Sequence, residues 1–299
     1  MTKPVSAPSR KWDRRIERAR ALAGQYPFAT EILTFYSKLT AFQQGCDSRL
    51  QSTLGASSAG ARNGQLSPDL NLHELEALLP QFRSFLSFLG REAPSALAGF
   101  ATSLENNDPG HWARLLTRFW RRTEGEEAGG VKERPAEAVR PETRAAFSDG
   151  GLSRFTALAF LQPYVEYLAG RADMHPPAVR RPVCSFCGSK PLAGVLRPEG
   201  DGAKRSLVCS FCYTEWDYRR IACPACEEFR DERMCVYTAS QFEHVRVEAC
   251  ETCRTYIKTV DLTKNGLALP EVDELAAIPL TLWADGQGYT KLSRNIFGS

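Results

Sequence analysis

Apolar residues in the first half of the chain recur every three or four positions, a spacing that places them on one face of an α-helix. The clearest stripes are Ile32, Phe35, Tyr36, Leu39 and Phe42; Phe82, Phe85, Leu86 and Leu89; Trp112, Leu115, Leu116, Phe119 and Trp120; and Leu158, Leu161, Val165 and Leu168. The helical pattern extends from residue 11 to about residue 170. It predicts an all-α region of five to seven helices.

Helix-starting and helix-breaking residues divide this region. We expect Pro80 to end one helix before the second stripe begins, because proline lacks a backbone donor and its ring clashes with the preceding turn. Asp108 and Pro109 predict the start of the third helix, as its N-cap and its first helical residue. The stretches 52–67 and 123–142 lack periodicity and are predicted to be loops.

Cysteines dominate the second half of the chain. Nine of the ten lie between Cys184 and Cys253. Eight of these form four Cys-x-x-Cys pairs, which are Cys184/Cys187, Cys209/Cys212, Cys223/Cys226 and Cys250/Cys253. Two intervening residues allow a tight turn to direct both sulfurs at one ion, so each pair is half of a tetrahedral metal site.

The spacing between the pairs predicts how they combine. The first and second pairs are 21 residues apart, the third and fourth are 23 apart, and only ten residues separate the second from the third. Each long interval suits a β-hairpin, with strands at 192–197 and 206–208 in one and at 234–238 and 245–248 in the other. Neighbouring pairs should therefore share a metal, in two rubredoxin-like or zinc-ribbon modules in tandem.

The predicted fold is therefore α+β, an all-α N-terminal domain followed by two tandem rubredoxin-like or zinc-ribbon modules. The proline-rich segment 175–182 cannot continue the last helix, so the domain boundary is placed there. The predicted units are residues 1–175 for the helical domain, 176–218 and 219–285 for the two ribbons, and 286–299 for a C-terminal tail.

Metal binding is the preferred role of the cysteine pairs, because the cytosol keeps thiols reduced and clustered cysteines there usually bind metal. Iron and zinc both stay open, since tetrahedral thiolate sites accept either. A complete four-cysteine set has no open coordination position, so we predict structural sites and no catalytic residues. Loss of metal from the first ribbon is expected to unfold that module alone.

Composition narrows the class of protein. The 299 residues include 38 basic and 35 acidic side chains, and a formal charge of +3 indicates no strong attraction to nucleic acid or to a membrane surface. No apolar run predicts a membrane span, and the N-terminal residues lack the apolar segment of a secretory signal. We expect a cytoplasmic protein that is not an enzyme, because the usual nucleotide-binding and hydrolase motifs are also absent from the sequence.

One run of residues resembles a known family. Cys-Ser-Phe-Cys-Tyr-Thr-Glu-Trp-Asp-Tyr-Arg-Arg-Ile-Ala-Cys-Pro-Ala-Cys at 209–226, with Cys-Ser-Phe-Cys-Gly-Ser at 184–189, is similar to the core of the FdhE family. Generic zinc ribbons share only the cysteines. This match also includes a Thr-Glu-Trp after the second cysteine pair and an Arg before the third. By motif, the resemblance covers about 184–253.

The resemblance implies an accessory factor that is required for active formate dehydrogenase and that binds its catalytic subunit. It also favours iron over zinc. Two other functions stay open from the sequence: an iron-dependent redox protein that acts on the same client, and a zinc ribbon that binds nucleic acid, which the balanced charge disfavours. The oligomeric state and the identity of the client isoenzyme are not predicted.

Residues between the two modules could bind a partner, because a short connection should leave some of them exposed. The candidates are Thr214, Glu215, Trp216, Tyr218 and Arg219. Exposed aromatic and arginine side chains are favoured at binding hot spots. The competing interpretation is that Trp216 packs the ribbons together and Glu215 pairs with an arginine. Cys235 is predicted to be a buried thiol, and the four histidines are predicted to be structural.

Overall fold

The computed structural model describes residues 8–54, 61–62, 65–66, 72–120, 149–172 and 181–298. The described residues of the first half are mainly helical. The helices are α1 (Pro8–Gln25), α2 (Thr30–Leu54), α3 (Leu72–Glu92), α4 (Ser95–Glu105), α5 (Pro109–Trp120) and α6 (Asp149–Arg171). Six helices in the described part of this half agree with the predicted five to seven. Within the described ranges, no helix is both long and apolar enough to cross a bilayer.

The predicted loop at 52–67 is partly described. Helix α2 continues into it as far as Leu54, and two short strands follow, β1 (Ala61–Arg62) and β2 (Gln65–Leu66). The remainder of that stretch, the whole of the predicted loop 123–142 and most of the proline-rich segment lie outside the described residues.

The predicted apolar stripes form the core of the helical half. Helices α2, α3, α5 and α6 contribute one buried cluster, whose members include Phe35, Leu39, Phe82, Phe85, Leu86, Leu89, Trp112, Leu116, Trp120, Leu158, Leu161, Val165 and Leu168. The start of α5 is also as predicted. Asp108 Oδ1 accepts a hydrogen bond from the His111 backbone N–H at 3.1 Å, and Pro109 is the first helical residue.

The prediction that Pro80 ends a helix is wrong. Helix α3 continues through this residue from Leu72 to Glu92. Pro80 is exposed, whereas Leu78 and Phe82 on either side of it are buried. Burial of a large apolar side chain contributes roughly 1.5–3 kcal/mol, so several such side chains outweigh the ~3 kcal/mol cost of a proline inside a helix.

The described residues of the second half contain one seven-stranded sheet. Its strands are β3 (Pro191–Glu199), β4 (Gly202–Cys209), β5 (Glu215–Asp217), β6 (Met234–Thr238), β7 (Val245–Cys250), β8 (Thr255–Asp261) and β9 (Thr290–Lys291). The strand order is β5-β4-β3-β8-β7-β6, and β9 also pairs with β8. Both predicted hairpins are confirmed, because β3 pairs with β4 and β6 pairs with β7, each in antiparallel fashion.

A parallel pairing of β3 with β8 joins the two ribbons into this one sheet. The register runs from Ala193 opposite Lys258 to Leu196 opposite Asp261. Gly194 permits the close approach, because a Cβ atom at this position would collide with the side chain of Thr259. The two ribbons therefore share backbone hydrogen bonds, a feature that the spacing of the cysteines did not predict.

The chain after β8 contains two helices that the sequence analysis did not predict, α7 (Pro270–Ala276) and α8 (Ile278–Gly286). The final segment returns to the sheet as β9, and Leu292 and Ile296 beyond it are buried. The predicted unit boundaries stay a prediction.

Buried ion pairs connect the helical half to the second half. Arg15 on α1 pairs with Glu166 of α6 at 3.0 Å and with Glu271 of α7 at 2.7 Å. One turn later, Arg18 pairs with Asp273 of α7. Because α1 comes first in the chain and α7 near its end, these contacts hold the two halves against each other.

Candidate metal centres

Each Cys-x-x-Cys pair lies in a tight turn that ends on a residue with a left-handed backbone. These residues follow directly after the second cysteine of each pair, and they are Gly188 (φ 72°), Tyr213 (φ 52°), Glu227 (φ 58°) and Arg254 (φ 57°). The backbone N–H of Gly188, Glu227 and Arg254 donates to the carbonyl of the first cysteine of its turn at 2.9 Å. Residues other than glycine rarely adopt this backbone conformation. Its recurrence therefore indicates one knuckle geometry used four times.

The first two knuckles bring four sulfurs together, in the predicted combination. The Sγ atom of Cys187 lies 3.3 Å from that of Cys209 and 3.6 Å from that of Cys212. The Sγ atoms of Cys184 and Cys212 are 3.6 Å apart. All four cysteines are buried, and their Sγ atoms lie within 4.8 Å of one another. We call this set the first cluster.

The third and fourth knuckles form the second cluster in the same way. The Sγ atoms of Cys223 and Cys253 are 3.6 Å apart, and those of Cys226 and Cys250 are 3.7 Å apart. Here the burial differs, because Cys223 and Cys250 are buried, Cys253 is half-buried and Cys226 is exposed. The second cluster therefore lies at the protein surface, and the first lies inside.

Both clusters fit a tetrahedral metal ion. Four sulfurs at about 2.3 Å from a common ion are about 3.8 Å from one another. The shortest separations are 3.3–3.7 Å and all lie within 4.8 Å, so small adjustments bring the four sulfurs to that value. Backbone donors are also in place, since the Phe211 N–H lies 3.4 Å from Cys209 Sγ and the Ala225 N–H lies 3.3 Å from Cys223 Sγ. Such donors stabilise a thiolate that is bound to a metal.

The protonation of the first cluster shows how closely its members interact. Burial raises the pKa of Cys209 and of Cys212, because a thiolate is poorly solvated inside the protein. Hydrogen bonds from Cys184, Cys209 and Cys212 lower the pKa of Cys187. Several buried thiolates in contact repel one another, and a bound cation is the natural compensation for that charge.

The first cluster is also part of the helical core. Its four cysteines belong to the same buried cluster of side chains as Leu39, Phe82 and Leu158. Tyr213, which ends the second knuckle, lies against α1, where the guanidinium of Arg15 is 4.7 Å from the centre of its ring. The first centre is therefore embedded between the helical half and the sheet.

Most of the predicted partner-binding residues are engaged within the protein. Trp216 is buried, and its Nε1 donates to the Arg181 carbonyl at 2.9 Å. Glu215 is half-buried and accepts two hydrogen bonds from Arg197, at 2.7 and 2.6 Å. The Arg197–Glu215 pair corresponds to the competing interpretation made from the sequence, whereas Trp216 packs in the buried core that the helices share with the first cluster.

The other three residues differ in exposure. Tyr218 is buried, Thr214 is half-buried with its hydroxyl 3.1 Å from Cys212 Sγ, and Arg219 is exposed. Arg219 is therefore the candidate most accessible to a partner. A partner-binding role for this group of five stays a prediction.

The sequence analysis did not identify Arg205, a buried residue of β4 that links the first ribbon to the second and to the segment between the two clusters. Its guanidinium pairs with Glu248 of β7 at 2.7 Å. The same group donates to the carbonyls of Arg219 and Ala222 at 2.9 and 3.0 Å, in the segment between the two clusters. The available signal was a pair of opposite charges in the two predicted hairpins, but local pattern does not reveal that the hairpins meet.

Two further cysteines and the described histidine His244 lie outside the clusters. Cys235 is half-buried on β6, so the prediction that it is buried is wrong, because β6 is an edge strand of the sheet. Cys46 is buried in α2, and burial raises its pKa to about 11. His244 is buried, and its Nε2 lies 2.7 Å from Asp273 Oδ1, a contact that supports the predicted structural role of this histidine.

The fold and the two clusters define a class of protein, a helical domain built onto a tandem four-cysteine ribbon with the capacity to hold two metal ions. Comparison with known proteins identifies a family within that class. The models "FdhE, central domain" and "FdhE, C-terminal domain" match residues 183–220 and 221–297. "Protein FdhE homolog" of Edwardsiella ictaluri is 30% identical over 303 residues, which cover 98% of this chain and 91% of that relative. The chain therefore belongs to the FdhE family, as the sequence motif predicted.

Other relatives match over shorter stretches. "Protein FdhE homolog" of Aquifex aeolicus is 33% identical over 159 residues, 52% of this chain and 56% of the relative. The protein of the same name from Pseudomonas putida is 34% identical over 137 residues, 43% of this chain and 42% of the relative. In these two cases the chain spans about half the length of the relative. The crystal structure of the FdhE protein from Pseudomonas aeruginosa has the same fold, with a TM-score of 0.65 at 24% identity over 96% of this chain and 94% of that chain.

Proposed function

We propose that this protein is a non-catalytic accessory factor for formate dehydrogenase, and that it binds the catalytic subunit of that enzyme in the cytoplasm. The observation that carries the proposal is the presence of two complete four-cysteine clusters in a member of the FdhE family. Four thiolates leave no coordination position for water or substrate, which a catalytic zinc requires. Binding to a partner, rather than turnover, is what this arrangement supports.

Iron is the metal we propose for both clusters, with zinc as the alternative. Tetrahedral thiolate sites hold either metal, so the preference for iron comes from the resemblance to the family. When bound, the metal supplies on the order of 10 kcal/mol toward ordering the ribbon that holds it. The eight cysteines would provide the ligands, and the knuckle N–H groups would donate to the thiolates.

The segment 214–219 is part of the proposed partner surface through Arg219. This side chain is exposed, and the carbonyl of the same residue accepts a hydrogen bond from the buried Arg205 at 2.9 Å. An exposed arginine on a well-fixed backbone is favoured at a binding interface, because little backbone freedom is lost when it binds.

A redox role is the second candidate, and the exposure of the second cluster favours it. Cys226 is exposed and Cys253 is half-buried, so an iron ion held there would lie close to solvent and to any bound partner. Such an ion could exchange one electron with the client. Zinc, which has no redox chemistry, could not.

The experiment that tests the proposal compares two metal forms of the protein. One form is purified without oxygen and analysed for metal content, and the other is refolded with zinc at both clusters. Each form is immobilised and titrated with purified catalytic subunit. Each form is also added to a cell extract of a strain that lacks the factor, and the recovery of formate dehydrogenase activity is measured. We expect equal capture by both forms and no formate turnover by either form alone.

The outcomes separate the two candidates. Equal recovery of enzyme activity with iron and with zinc supports an accessory factor whose metals are structural. Equal capture with recovery only in the iron form supports the redox candidate. If neither form captures the catalytic subunit, the proposed function is wrong.

A further inference from the structure

A large groove is lined by residues of both the helical half and the ribbons. Its volume is about 970 Å³. Helices α2 and α6 and the final segment of the chain, from β9 onward, contribute most of its lining. This volume is at the upper end of the roughly 300–1,000 Å³ that small-molecule pockets occupy.

The floor of the groove is apolar and aromatic. The ring centroid of Phe155 on α6 lies 6.1 Å from that of Phe35 on α2 and 5.4 Å from that of Phe297 in the final segment. Leu97 and Leu152 extend the same surface. Phe35 and Phe155 are buried and belong to the helical core, so the floor is a rigid surface against which apolar groups can pack.

The groove also reaches both metal centres. Val183 directly precedes Cys184 of the first cluster, and Pro224 and Ala225 lie between Cys223 and Cys226 of the second. A molecule bound in the groove would therefore contact the helical half, the residue next to the first knuckle and the third knuckle at once. This placement suits a surface whose shape depends on both metals.

The charged residues around the groove are mainly basic. Among the described lining residues the cations are Arg154, Lys190, Lys291 and Arg294, and the one carboxylate is Glu31. Lys291 also pairs with the buried Glu274. Positively charged side chains therefore outnumber negatively charged ones among the lining residues, and an occupant with carboxylates would complement them.

We propose that this groove binds a short segment of a partner protein that combines apolar residues with Asp or Glu. The inference rests on the proposed function, in which the partner is the catalytic subunit of formate dehydrogenase. Small-molecule sites enclose most of their ligand and direct several polar groups at it. Here the rim residues Glu31, Pro94, Ala225 and Arg294 are exposed, so the groove is open along one side. An apolar floor with charged edges matches the way amphipathic segments bind in grooves.

Charge reversal at the rim tests the inference. The variant combines Lys190→Glu and Arg294→Glu, two exposed lining residues. The matched control combines Arg20→Glu and Arg83→Glu, which change the net charge equally and are exposed on α1 and α3, away from the groove. The dissociation constant of purified catalytic subunit is measured for each at about 0.05 M and about 0.5 M salt. We expect the rim variant to weaken binding about tenfold at low salt and the control less than about twofold.

A second variant, Ala225→Trp, fills the groove from an exposed position and keeps the cysteines intact. Metal content and thermal stability confirm that each variant is folded. We expect Ala225→Trp to weaken binding at both salt concentrations, because it blocks the floor rather than the charge. If the rim variant and Ala225→Trp both bind like the unmodified protein, the groove is not the site, while the proposed function stands. If the unmodified protein does not bind the subunit, both proposals fail.

An array of overlapping peptides from the catalytic subunit gives an independent readout. Peptides that bind the unmodified protein should combine large apolar residues with Asp or Glu, and they should lose binding to the rim variant. Binding without preference for acidic peptides would overturn the inference.

Discussion

Lys258 and Glu274 form a fully buried ion pair between β8 and α7. Lys258 Nζ lies 2.9 Å from Glu274 Oε1 and donates to the carbonyls of Glu274 and Ala277 at 2.7 and 3.2 Å. Burial disfavours the charged ammonium and lowers the pKa of Lys258 from its usual 10.5 to about 8, although Glu274 opposes the shift. Burial alone would raise the pKa of Glu274, but Lys258 and Lys291 lower it to about 2. Both groups are therefore charged at neutral pH.

The shifted pKa of Lys258 predicts a stability that depends on pH. Between about pH 8 and pH 10.5 the unfolded chain binds more protons at this residue than the folded protein, so the free energy of unfolding should rise with pH in that window. Relative to Lys258→Met, the unmodified protein should gain up to about 3 kcal/mol across it. Denaturant unfolding at a series of pH values measures this difference. The control Lys38→Met changes an exposed residue and keeps Lys258, so the rise of stability with pH should remain in that variant. Parallel curves for Lys258→Met and the unmodified protein would contradict the assignment.

Helix α3 shows that an element is decided by its packing as well as by its residues. Four of its side chains, Leu75, Leu78, Phe82 and Phe85, are buried across the position of Pro80. Local propensity favours a break at the proline, because the carbonyl one turn earlier loses its donor. The apolar stripe continues on both sides of Pro80, however. The helix therefore remains intact, because the turns before and after the proline can both be buried against α2 and α6.

Replacement of this proline should stabilise the protein. In Pro80→Ala the new N–H can donate to the Glu76 carbonyl, and the ring no longer crowds the preceding turn. The loss of proline's stiffness in the unfolded chain offsets part of the gain. We expect the free energy of unfolding to rise by about 2 kcal/mol. Ser84→Ala, an exposed position one turn later on α3, should change it little. An unchanged or lower stability of Pro80→Ala would show that the packing of α3 depends on the proline.

The whole molecule differs from a helical domain with independent ribbons attached. The cysteines of the first cluster lie in the same buried core as α2, α3 and α6, and Arg15 of α1 pairs with α6 and α7. Removal of one partner from a buried ion pair typically costs about 3–5 kcal/mol. Because the first cluster is part of this core, loss of its metal should lower the stability of the helical half as well, contrary to the expectation of local unfolding.

A pair of single substitutions tests this coupling. Cys209→Ser removes a ligand of the first cluster and Cys226→Ser removes an exposed ligand of the second. Each should lose about one metal ion per chain. Thermal unfolding followed by far-ultraviolet circular dichroism should show the helical transition at least about 10 °C lower in Cys209→Ser. In Cys226→Ser the same transition should move much less. Equal shifts in the two variants, or none in Cys209→Ser, would mean that the helical half folds independently of the first centre.

The sequence by itself determined the features that depend on short spacings. Helical stripes, the Asp108 cap, both hairpins and the pairing of the four knuckles follow from residues near one another in the chain, because helix periodicity and two-residue cysteine turns are local geometry. Membership of the FdhE family was also readable, since its motif is a continuous run of residues.

Only the tertiary structure decided how these parts meet. The parallel pairing of β3 with β8, the burial of Trp216, the groove and the contrast between an interior and a surface cluster all depend on residues far apart in the chain. Helices α7 and α8 are short and contain prolines in their first turns, so their formation relies on packing rather than on propensity. Long-range contacts of this kind leave no periodic signal in the sequence, because they are selected by the free energy of the assembled core.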